Sequence, residues 1–344
     1  MSKPTVSILI ASYNSAPYLR PLCESIQNQT FGDFEALVWD DGSTDNSDQV
    51  VKPYLHDPRF RLLRAPKNQG VGKSWAELLS RMQGEYWCAP GSDDVLHLDF
   101  LERRVARIST NPNAVLVHGP PVHIDAKGQH LSHLKVVLDP PEWLSGADAL
   151  LSLLQHNYIN QPSTLIRSSS TTRVLSLWRD DWRYAQEWHL WLLLAALEQD
   201  FLFDPVPAHQ YRVHERSLTH LPSHDAVRRV EVRLVPLVGA SGAARLTPCG
   251  ARVWHQWRRA LYALWLRRAW VLRKHPDIGR CLQIGAEAAA VSAPGQTPPG
   301  LFSQVARHAP EIFLYSLREA AARRTQTFLV SGLAQIRHEL FRAR

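Results

Sequence analysis

Closely spaced cysteines are missing from this sequence of 344 residues. Its four cysteines stand far apart and form no CxxC pair: Cys23, Cys88, Cys249 and Cys281. A structural zinc site needs ligands at short, regular spacings. We therefore expect no cysteine zinc site, and we expect thiols that stay reduced, as they do in a cytosol.

Long apolar runs and a dinucleotide-binding glycine motif are absent as well. No apolar run reaches the ~20 residues that a helix needs to span a bilayer, and residues 1–5 show no apolar stretch of a secretory signal. No GxGxxG follows the first predicted strand, which disfavours a dinucleotide-dependent dehydrogenase. Because 45% of the residues are hydrophobic, we expect a packed core and a cytoplasmic protein.

Acidic residues are scarce in the last third of the chain. Residues 1–225 contain 20 Lys and Arg against 26 Asp and Glu, a net charge of −6, whereas residues 226–344 contain 19 against 6, a net charge of +13. This asymmetry predicts two regions, 1–225 and a basic, mainly helical region at 226–344. It favours a polyanionic partner, either an anionic membrane surface or a nucleic acid. No recognisable nucleic-acid-binding module is present, so we expect no nucleic-acid partner.

Residues 251–274 are the most informative part of the basic region. On a helix, its apolar and basic residues would take opposite faces. The apolar face has Trp254, Trp257, Leu261, Leu264, Trp265 and Leu272, and the basic face has Arg252, Arg259, Arg267 and Arg273. A basic amphipathic helix with tryptophans is typical of a membrane interface, which would place the protein on the inner face of the plasma membrane. The pattern suits equally a helix packed on the rest of the protein, with its cationic side in water.

Apolar runs that suit buried strands alternate with helical patterns in the first region. The strands are predicted at 6–11, 34–39, 61–65, 86–89 and 114–118, and the helices at 17–30, 45–54, around 75–82, at 99–111 and at 187–198. Alternation of strand and helix predicts an α/β fold with a mostly parallel sheet.

Three polar clusters follow predicted strands of that sheet: Ser12-Tyr13-Asn14, Asp40-Asp41 and Asp93-Asp94. Each cluster alone has the composition of a turn. Ligands of parallel sheets bind beyond the carboxyl ends of the strands, so three clusters at one edge indicate a nucleotide site. The adjacent carboxylates of Asp93 and Asp94 would be costly to bury without positive charge, and a divalent cation holding a diphosphate would supply it.

These clusters belong to an ordered set of motifs that spans roughly residues 4–220. In chain order the set contains Ser7 to Asn14, Gln29 to Phe31, Asp40 to Asp45, Asn68 with Gly70, Gly84 to Tyr86, Ser92 to Asp94, Gln186 to Trp188 and Tyr211 to His214. Each piece is weak, but together they make the sequence resemble the family 2 glycosyltransferases. The resemblance implies a GT-A (Rossmann-like) sheet flanked by helices, with the basic region as a helical extension. It implies an inverting transfer of a sugar from a nucleotide diphosphate sugar to a hydroxyl of a glycan or lipid-linked acceptor, in cell-surface polysaccharide synthesis.

The resemblance implies a nucleotide pocket around the first two clusters. Ala11 and Tyr13 would contact the nucleotide, with Tyr13 packed on the base, and Asp41 would accept a hydrogen bond from a ring N–H of the base. Uracil and thymine carry such a donor, so a UDP- or dTDP-sugar is favoured. Guanine carries one as well, so a GDP-sugar remains an alternative donor, whereas cytosine has no such donor group.

The resemblance also implies a metal site and a catalytic base. Asp93 would lie near the ribose and Arg212 near the diphosphate, while Asp94 and His214 would bind Mg²⁺ or Mn²⁺. The cation would stabilise the charge of the leaving diphosphate. Glu187 would take the proton of the acceptor hydroxyl.

Several positions depart from the family pattern. Gly91 stands where the family often has Asp, and Trp75-Ala76 stands where it often has Arg-Asn. The base is usually Asp, and here it is Glu187, with Asp181 only six residues upstream as a rival. These departures leave open a second hypothesis, a non-catalytic homologue that binds a nucleotide sugar.

Overall fold

The computed structural model describes residues 3–131, 141–154, 156–215, 217, 226–247 and 250–254. A mostly parallel sheet of eight strands lies at the centre of this part of the chain, beside a small sheet of three. The strands are β1 (Val6–Ser12), β2 (Phe34–Asp40), β3 (Phe60–Arg64), β4 (Tyr86–Cys88), β5 (Val95–Leu96), β6 (Ala114–His118), β7 (Val122–Ile124), β8 (Trp143–Leu144), β9 (Leu165–Arg167), β10 (Asp200–Phe203) and β11 (His209–Arg212). The helices are α1 (Ala16–Gln27), α2 (Ser47–Val51), α3 (Val71–Arg81), α4 (Phe100–Ser109), α5 (Gly146–Leu153), α6 (Ser168–Val174), α7 (Gln186–Ala195) and α8 (Ala226–Ala243).

Parallel pairing joins the strands that the polar clusters follow. The large sheet has the order β3-β2-β1-β4-β9-β6-β10-β8. Strand β1 pairs in parallel with β2 and β4, and β2 pairs in parallel with β3. Strands β6 and β10 are also parallel, whereas β9 and β8 run antiparallel to their neighbours. The predicted α/β class with a mostly parallel sheet is confirmed, and the three polar clusters lie at one edge of it.

The strands and helices form where the apolar pattern places them. Every residue of β2 is buried, as in a strand covered on both faces. Helix α1 has Pro17 in its first turn, where a missing N–H costs nothing, and it buries Leu19, Leu22 and Ile26 as predicted. Helix α2 lies within the predicted helix at 45–54. Asn46 is the N-cap, and the Oδ1 atom of Asp45 accepts a hydrogen bond of 3.1 Å from the N–H of Ser47.

The small sheet brings a late segment of the chain to the end of β4. Its order is β5-β11-β7, with β11 antiparallel to β5 and parallel to β7. Because β5 begins directly after Asp94, this pairing lays Arg212 and His214 beside Asp93 and Asp94. Residues about 120 positions apart in sequence thus meet at the edge where the polar clusters lie.

Helix α8 is the first helix of the predicted basic region, and it packs on α7. A Cβ atom at Gly239 would overlap the side chain of Leu192, so the two helices approach closely there. The division at 225/226 stays a prediction. Of the predicted helix at 251–274, the structure describes Ala251 to Trp254, and Trp254 is buried; the rest lies outside the described residues. Within the described ranges, no helix combines the length and the apolarity that crossing a membrane requires.

Candidate active site

A cleft of about 1530 Å³ lies beyond the carboxyl ends of β1, β2 and β4. Seven of the eight predicted site residues line it, namely Ala11, Tyr13, Asp41, Asp93, Asp94, Glu187 and His214. The eighth, Arg212, is not among the lining residues. The fold therefore gathers into one cleft most of the residues that the sequence motifs indicate.

Tyr13 is presented to the cleft by a tight turn after β1. The backbone of Asn14 adopts a left-handed conformation with φ 53°. Its Oδ1 atom accepts a hydrogen bond of 2.9 Å from the N–H of Thr44, and its own N–H donates to Oγ of Ser43 at 2.9 Å. These bonds join the turn after β1 to the turn after β2. The side chain of Tyr13 is 47% exposed, so its ring is available to pack against a planar group.

The Asp41 carboxylate lies on the floor of the same part of the cleft. Its Oδ1 accepts a hydrogen bond of 3.0 Å from the N–H of Gln69, and its Oδ2 accepts one of 2.9 Å from the N–H of Gly70. These bonds fix the segment that leads into α3. An ionised carboxylate offers about four acceptor sites. Asp41 therefore retains the capacity to accept a further donor from a ligand.

Asp93 and His214 form a pair in the cleft. The Nε2 atom of His214 lies 2.8 Å from Oδ2 of Asp93. The ring of Tyr18 lies against that of His214, with centroids 4.6 Å apart. Asp93 keeps 25% of its side chain exposed, against 9% for His214. Both residues line the cleft, so the pair borders the space that is open to a ligand.

Asp94, in contrast, is buried and bonded to the backbone. Its Oδ1 accepts a hydrogen bond of 3.0 Å from the N–H of Arg212, and its Oδ2 accepts one of 2.9 Å from the N–H of Gly91. Burial, reinforced by the charge of Asp93, raises the pKa of Asp94 well above its usual range. Asp94 thus ties the turn after β4 to β11.

Gly91 lies close to the two carboxylates that follow it. A Cβ atom there would lie 2.7 Å from Oδ1 of Asp93 and 2.8 Å from Oδ2 of Asp94. A side chain at this position would therefore require the ends of those two side chains to shift.

Arg212 holds the backbone near Asp93. Its Nε donates a hydrogen bond of 2.7 Å to the carbonyl of Asp93, and its Nη1 donates one of 2.9 Å to the carbonyl of Asp125. The guanidinium also lies over the ring of Tyr18, 5.3 Å from its centroid. Contact between Arg212 and a diphosphate stays a prediction, since these bonds direct the guanidinium to the protein backbone.

The residues of the cleft fit a divalent cation bound together with a diphosphate. Within the described residues no cluster of three His, Cys, Asp or Glu side chains could hold a metal ion alone. Mg²⁺ with a nucleotide needs only one or two protein ligands, because phosphate oxygens and water complete its coordination. Asp93 would supply a carboxylate oxygen, the type of ligand that suits Mg²⁺ and Mn²⁺, and His214 would supply a ring nitrogen beside it.

Glu187 and Asp181 both line the cleft, in different surroundings. Glu187 lies in the first turn of α7 and is half-buried. Asp181 is exposed and forms a two-bond ion pair with Arg179, with N···O distances of 3.0 and 2.8 Å. The nearby Trp182 and Trp188 are largely buried beside the cleft.

Some parts of the cleft were not predicted from the sequence. The hydroxyls of Ser15 and Ser92 lie 2.8 Å apart at its edge. Gln161 lines the wall and donates a side-chain hydrogen bond to the carbonyl of Ala89. Val232 of α8 also lines the cleft. Gln161 belongs to a polar stretch just before β9, and this position in the sequence could have indicated a role in the site. Nothing in the composition of α8 indicated a contact with the site.

Several known proteins are similar to this chain in sequence. The family described as Glycosyl transferase family 2 matches residues 7–166. An uncharacterized glycosyltransferase of Haemophilus influenzae is 30% identical over 171 residues, which cover 49% of this chain and 65% of the relative. The chondroitin synthase of Escherichia coli is 32% identical over 131 residues, 38% of this chain and 19% of the relative. The chain thus spans less than two thirds of the length of each of these relatives.

Two solved structures share the fold. TarS 1–349 of S. aureus in complex with UDP-GlcNAc has a TM-score of 0.56 at 16% identity, covering 83% of this chain and 89% of that chain. The mannosyltransferase PcManGT of Pyrobaculum calidifontis in complex with GDP-Man and Mn²⁺ has a TM-score of 0.52 at 17% identity, covering 95% of this chain and 84% of that chain. At these identities the likeness shows a common GT-A fold.

Proposed function

We propose that this chain, whose residues 7–166 match glycosyltransferase family 2, is an inverting glycosyltransferase. It would move a sugar from a nucleotide diphosphate sugar to a hydroxyl of a glycan or lipid-linked acceptor. The observation that carries the proposal is the joint lining of one cleft by Tyr13, Asp41, the Asp93–His214 pair and Glu187. This reaction needs a surface that binds the nucleobase, side chains that bind the cation, and a carboxylate that acts as the general base.

A uridine or thymidine diphosphate sugar is the favoured donor. Tyr13 would pack on the base, Ala11 would line its edge, and Asp41 would accept the hydrogen of the ring N–H. The complex of TarS with UDP-GlcNAc supports a uridine donor. The complex of PcManGT with GDP-Man supports the guanosine alternative, since guanine also carries a ring N–H. Cytosine offers no such donor at that position.

Asp93 and His214 would hold the cation, Mg²⁺ or Mn²⁺. Their pairing at 2.8 Å at the edge of the cleft supports this assignment, and Mn²⁺ is present in the PcManGT complex. The bound cation supplies positive charge to the diphosphate as the bond to the sugar breaks. Asp94 was the residue first assigned to the cation. Its two backbone hydrogen bonds support instead a role in shaping the turn that carries Asp93.

Glu187 would be the general base. Its carboxylate would take the proton of the acceptor hydroxyl while that oxygen attacks the anomeric carbon. The bond from this carbon to the diphosphate oxygen breaks in the same displacement, so configuration inverts and the nucleotide diphosphate leaves. The position of Glu187 in the first turn of α7, half-buried in the wall of the cleft, supports Glu187 over its exposed rival Asp181.

The basic region suggests where the acceptor lies. With a net charge of +13 over residues 226–344, it would bind an anionic membrane surface on which a lipid-linked acceptor is held, as in cell-surface polysaccharide synthesis. Flotation with liposomes tests this part separately. We expect binding to vesicles with anionic lipid, weakened by salt. Equal flotation with neutral vesicles would contradict it.

A non-catalytic nucleotide-sugar-binding protein is the second candidate, favoured by the glycine at position 91 that leaves one family carboxylate out. One experiment separates the two. The purified protein is screened by thermal shift against UDP, dTDP, GDP and their sugars, with and without Mn²⁺, and nucleotide diphosphate release is then measured. A transferase should release nucleotide diphosphate slowly by transfer to water, and only with the cation. Binding without any release would favour the second candidate, and no stabilisation by any nucleotide would remove both.

A further inference from the structure

The segment between α6 and α7 forms one wall of the cleft and leads directly into the predicted base. Five consecutive residues of this wall, Asp180 to Tyr184, line the cleft. Glu187 follows in the first turn of α7. The position of the Glu187 carboxylate therefore depends on how firmly this wall segment, residues 175–185, is held.

Contacts at both ends fix most of the wall segment. Near its start, the indole N–H of Trp178 donates a hydrogen bond of 3.0 Å to the carbonyl of Gln186. The buried ring of Trp182 stacks on His189 of α7, with centroids 5.3 Å apart. On the side of α3, the carbonyl of Asp180 lies so close to Gly72 that a Cβ atom there would overlap it. None of these contacts involves the backbone N–H groups of Arg183 and Tyr184.

Glu231 of α8 holds that backbone. Its Oε1 accepts a hydrogen bond of 2.8 Å from the N–H of Arg183, and its Oε2 accepts one of 2.6 Å from the N–H of Tyr184. Hydrogen bonds to an ionised carboxylate are shorter and stronger than neutral ones. A single side chain thus binds two successive backbone donors three and four residues before Glu187.

Helix α8 is in turn attached to the element that carries the base. Gly239 and Gly242 let α8 approach Leu192 and Leu193 of α7. Val232, directly after Glu231, lines the cleft and is 40% exposed. Helix α8 therefore contacts α7, the wall segment and the cleft at once.

We propose that Glu231 is a positioning residue for the transfer reaction, which fixes the wall segment and through it the base and the acceptor side of the cleft. The proposal rests on the proposed function for its catalytic part. It gives the start of the basic region a second role, in which it completes the site. A purely structural role, in which Glu231 only stabilises α8, is the alternative to be tested.

Hydrogen exchange tests the contact without any assay of activity. In Glu231→Ala the amides of Arg183 and Tyr184 lose their acceptor, so we expect peptides covering residues 179–188 to exchange at least ten-fold faster than in the wild type. Ser241→Ala is the matched control, because Ser241 is buried in α8 and its hydroxyl bonds only to the carbonyl of Val238 among the contacts of the described residues. Unchanged exchange in Glu231→Ala, or equal acceleration in both variants, would overturn the proposal.

Kinetics test the positioning role. With the nucleotide sugar that the wild type turns over fastest, we expect Glu231→Ala to lower kcat by roughly 10- to 100-fold while the KM of the donor changes little, since a base displaced by about 1 Å loses that much. Glu231→Gln keeps one acceptor oxygen and should fall between. Ser241→Ala should retain wild-type kcat. Equal losses of kcat in Ser241→Ala and Glu231→Ala, or a loss confined to donor KM, would overturn the proposal.

The two proposals fail in different ways. If the wild type released no nucleotide diphosphate from any UDP-, dTDP- or GDP-sugar with Mn²⁺, the proposed function would fall, and the catalytic part of this inference with it. The exchange of residues 179–188 would still decide whether Glu231 holds the wall segment. If the wild type is active and Glu231→Ala keeps its kcat, only the inference falls.

Discussion

Asp93 and Asp94 are neighbours in the chain, but their carboxylates have different partners. Asp93 lies against His214 with a quarter of its side chain exposed. Asp94 is buried between the backbone N–H groups of Gly91 and Arg212. The difference arises because β11 brings the N–H of Arg212 to Asp94, and the ring of His214, just after β11, to Asp93. These surroundings support a ligand role for Asp93, as proposed, and a structural role for Asp94.

This difference predicts opposite effects of two matched substitutions. Asp93→Asn should keep the melting temperature of the free protein and lose the further stabilisation that Mn²⁺ adds in the presence of UDP. Asp94→Asn should lower the free energy of unfolding by about 1–3 kcal/mol, because the new NH₂ group faces a backbone N–H. Thermal and urea unfolding measure both. The reverse pattern would identify Asp94 as the cation ligand, in agreement with the prediction from the sequence.

Substitution can also show which of Glu187 and Asp181 is the general base. Glu187→Gln keeps the shape but cannot take a proton, so transfer should fall by ~10²–10⁴-fold with donor affinity unchanged. Asp181→Asn should retain most activity, since its carboxylate already pairs with Arg179. Donor affinity is measured by titration, and transfer by release of nucleotide diphosphate. Retained activity in Glu187→Gln together with loss in Asp181→Asn would identify Asp181 as the base.

At the scale of elements, the site depends on close approaches between a helix and a loop. Helix α3 begins after Gly70, whose φ of 95° suits glycine. At Gly72 the helix meets the wall segment at Asp180. The loop that leads to the base is thus packed against the helix that follows the Asp41 contact. A larger residue at position 72 must separate them.

Gly72→Ala tests this contact. In an open helix the change from Gly to Ala stabilises by up to ~1 kcal/mol. Here the added Cβ would overlap the carbonyl of Asp180, and overpacking of this kind costs about 1–3 kcal/mol. We therefore expect a net loss in the free energy of unfolding by urea, with faster exchange at residues 179–188. Gly32→Ala is the control, because a Cβ there meets no atom within 4 Å. Increased stability in Gly72→Ala would show that the contact is looser than described.

At the scale of the whole molecule, buried histidines determine a large part of the response to acid. Burial lowers the pKa of His118, His189 and His209 from 6.5 to about 3 in each case. In the unfolded chain these residues bind protons below about pH 6.5, while the folded chain keeps them neutral. Each therefore removes stability as the pH falls from about 6.5 towards 3, by up to ~1.4 kcal/mol per pH unit. The raised pKa of Asp94 acts in the opposite direction, but it is one group against three.

His189→Phe isolates one of these contributions. Neither ring nitrogen of His189 has a hydrogen-bond partner in the described part of the chain, so a phenyl ring replaces the imidazole without removing a bond. Between pH 6 and 4, the free energy of unfolding should fall less steeply than in the wild type, by up to ~1.4 kcal/mol per pH unit. Denaturant unfolding at several pH values measures the slope. His56→Gln, at an exposed site, should leave the slope unchanged, and an unchanged slope in His189→Phe would contradict the burial argument.

The sequence by itself determined the fold class and most of the cleft. Apolar runs such as Val6 to Ala11 must be buried, and their alternation with helical patterns leaves a parallel sheet as the arrangement that covers them. Parallel strands place their carboxyl ends at one edge, so Tyr13, Asp41 and Asp93 were predicted to lie together before any contact was known. The cation-binding role of His214 was implied only by the family resemblance, and it stays a prediction.

Only the tertiary structure decided which partner each of these polar side chains has. The Asp94 carboxylate turns inward because β11 delivers the N–H of Arg212 to it, and Arg212 turns to backbone carbonyls for the same reason. Glu231 reaches Arg183 and Tyr184 through the packing of α8 on α7. Local periodicity reports which face of an element is apolar. The partner of a polar group is chosen by strands and helices distant in sequence, because a buried donor or acceptor must be paired with whichever group the fold brings to it.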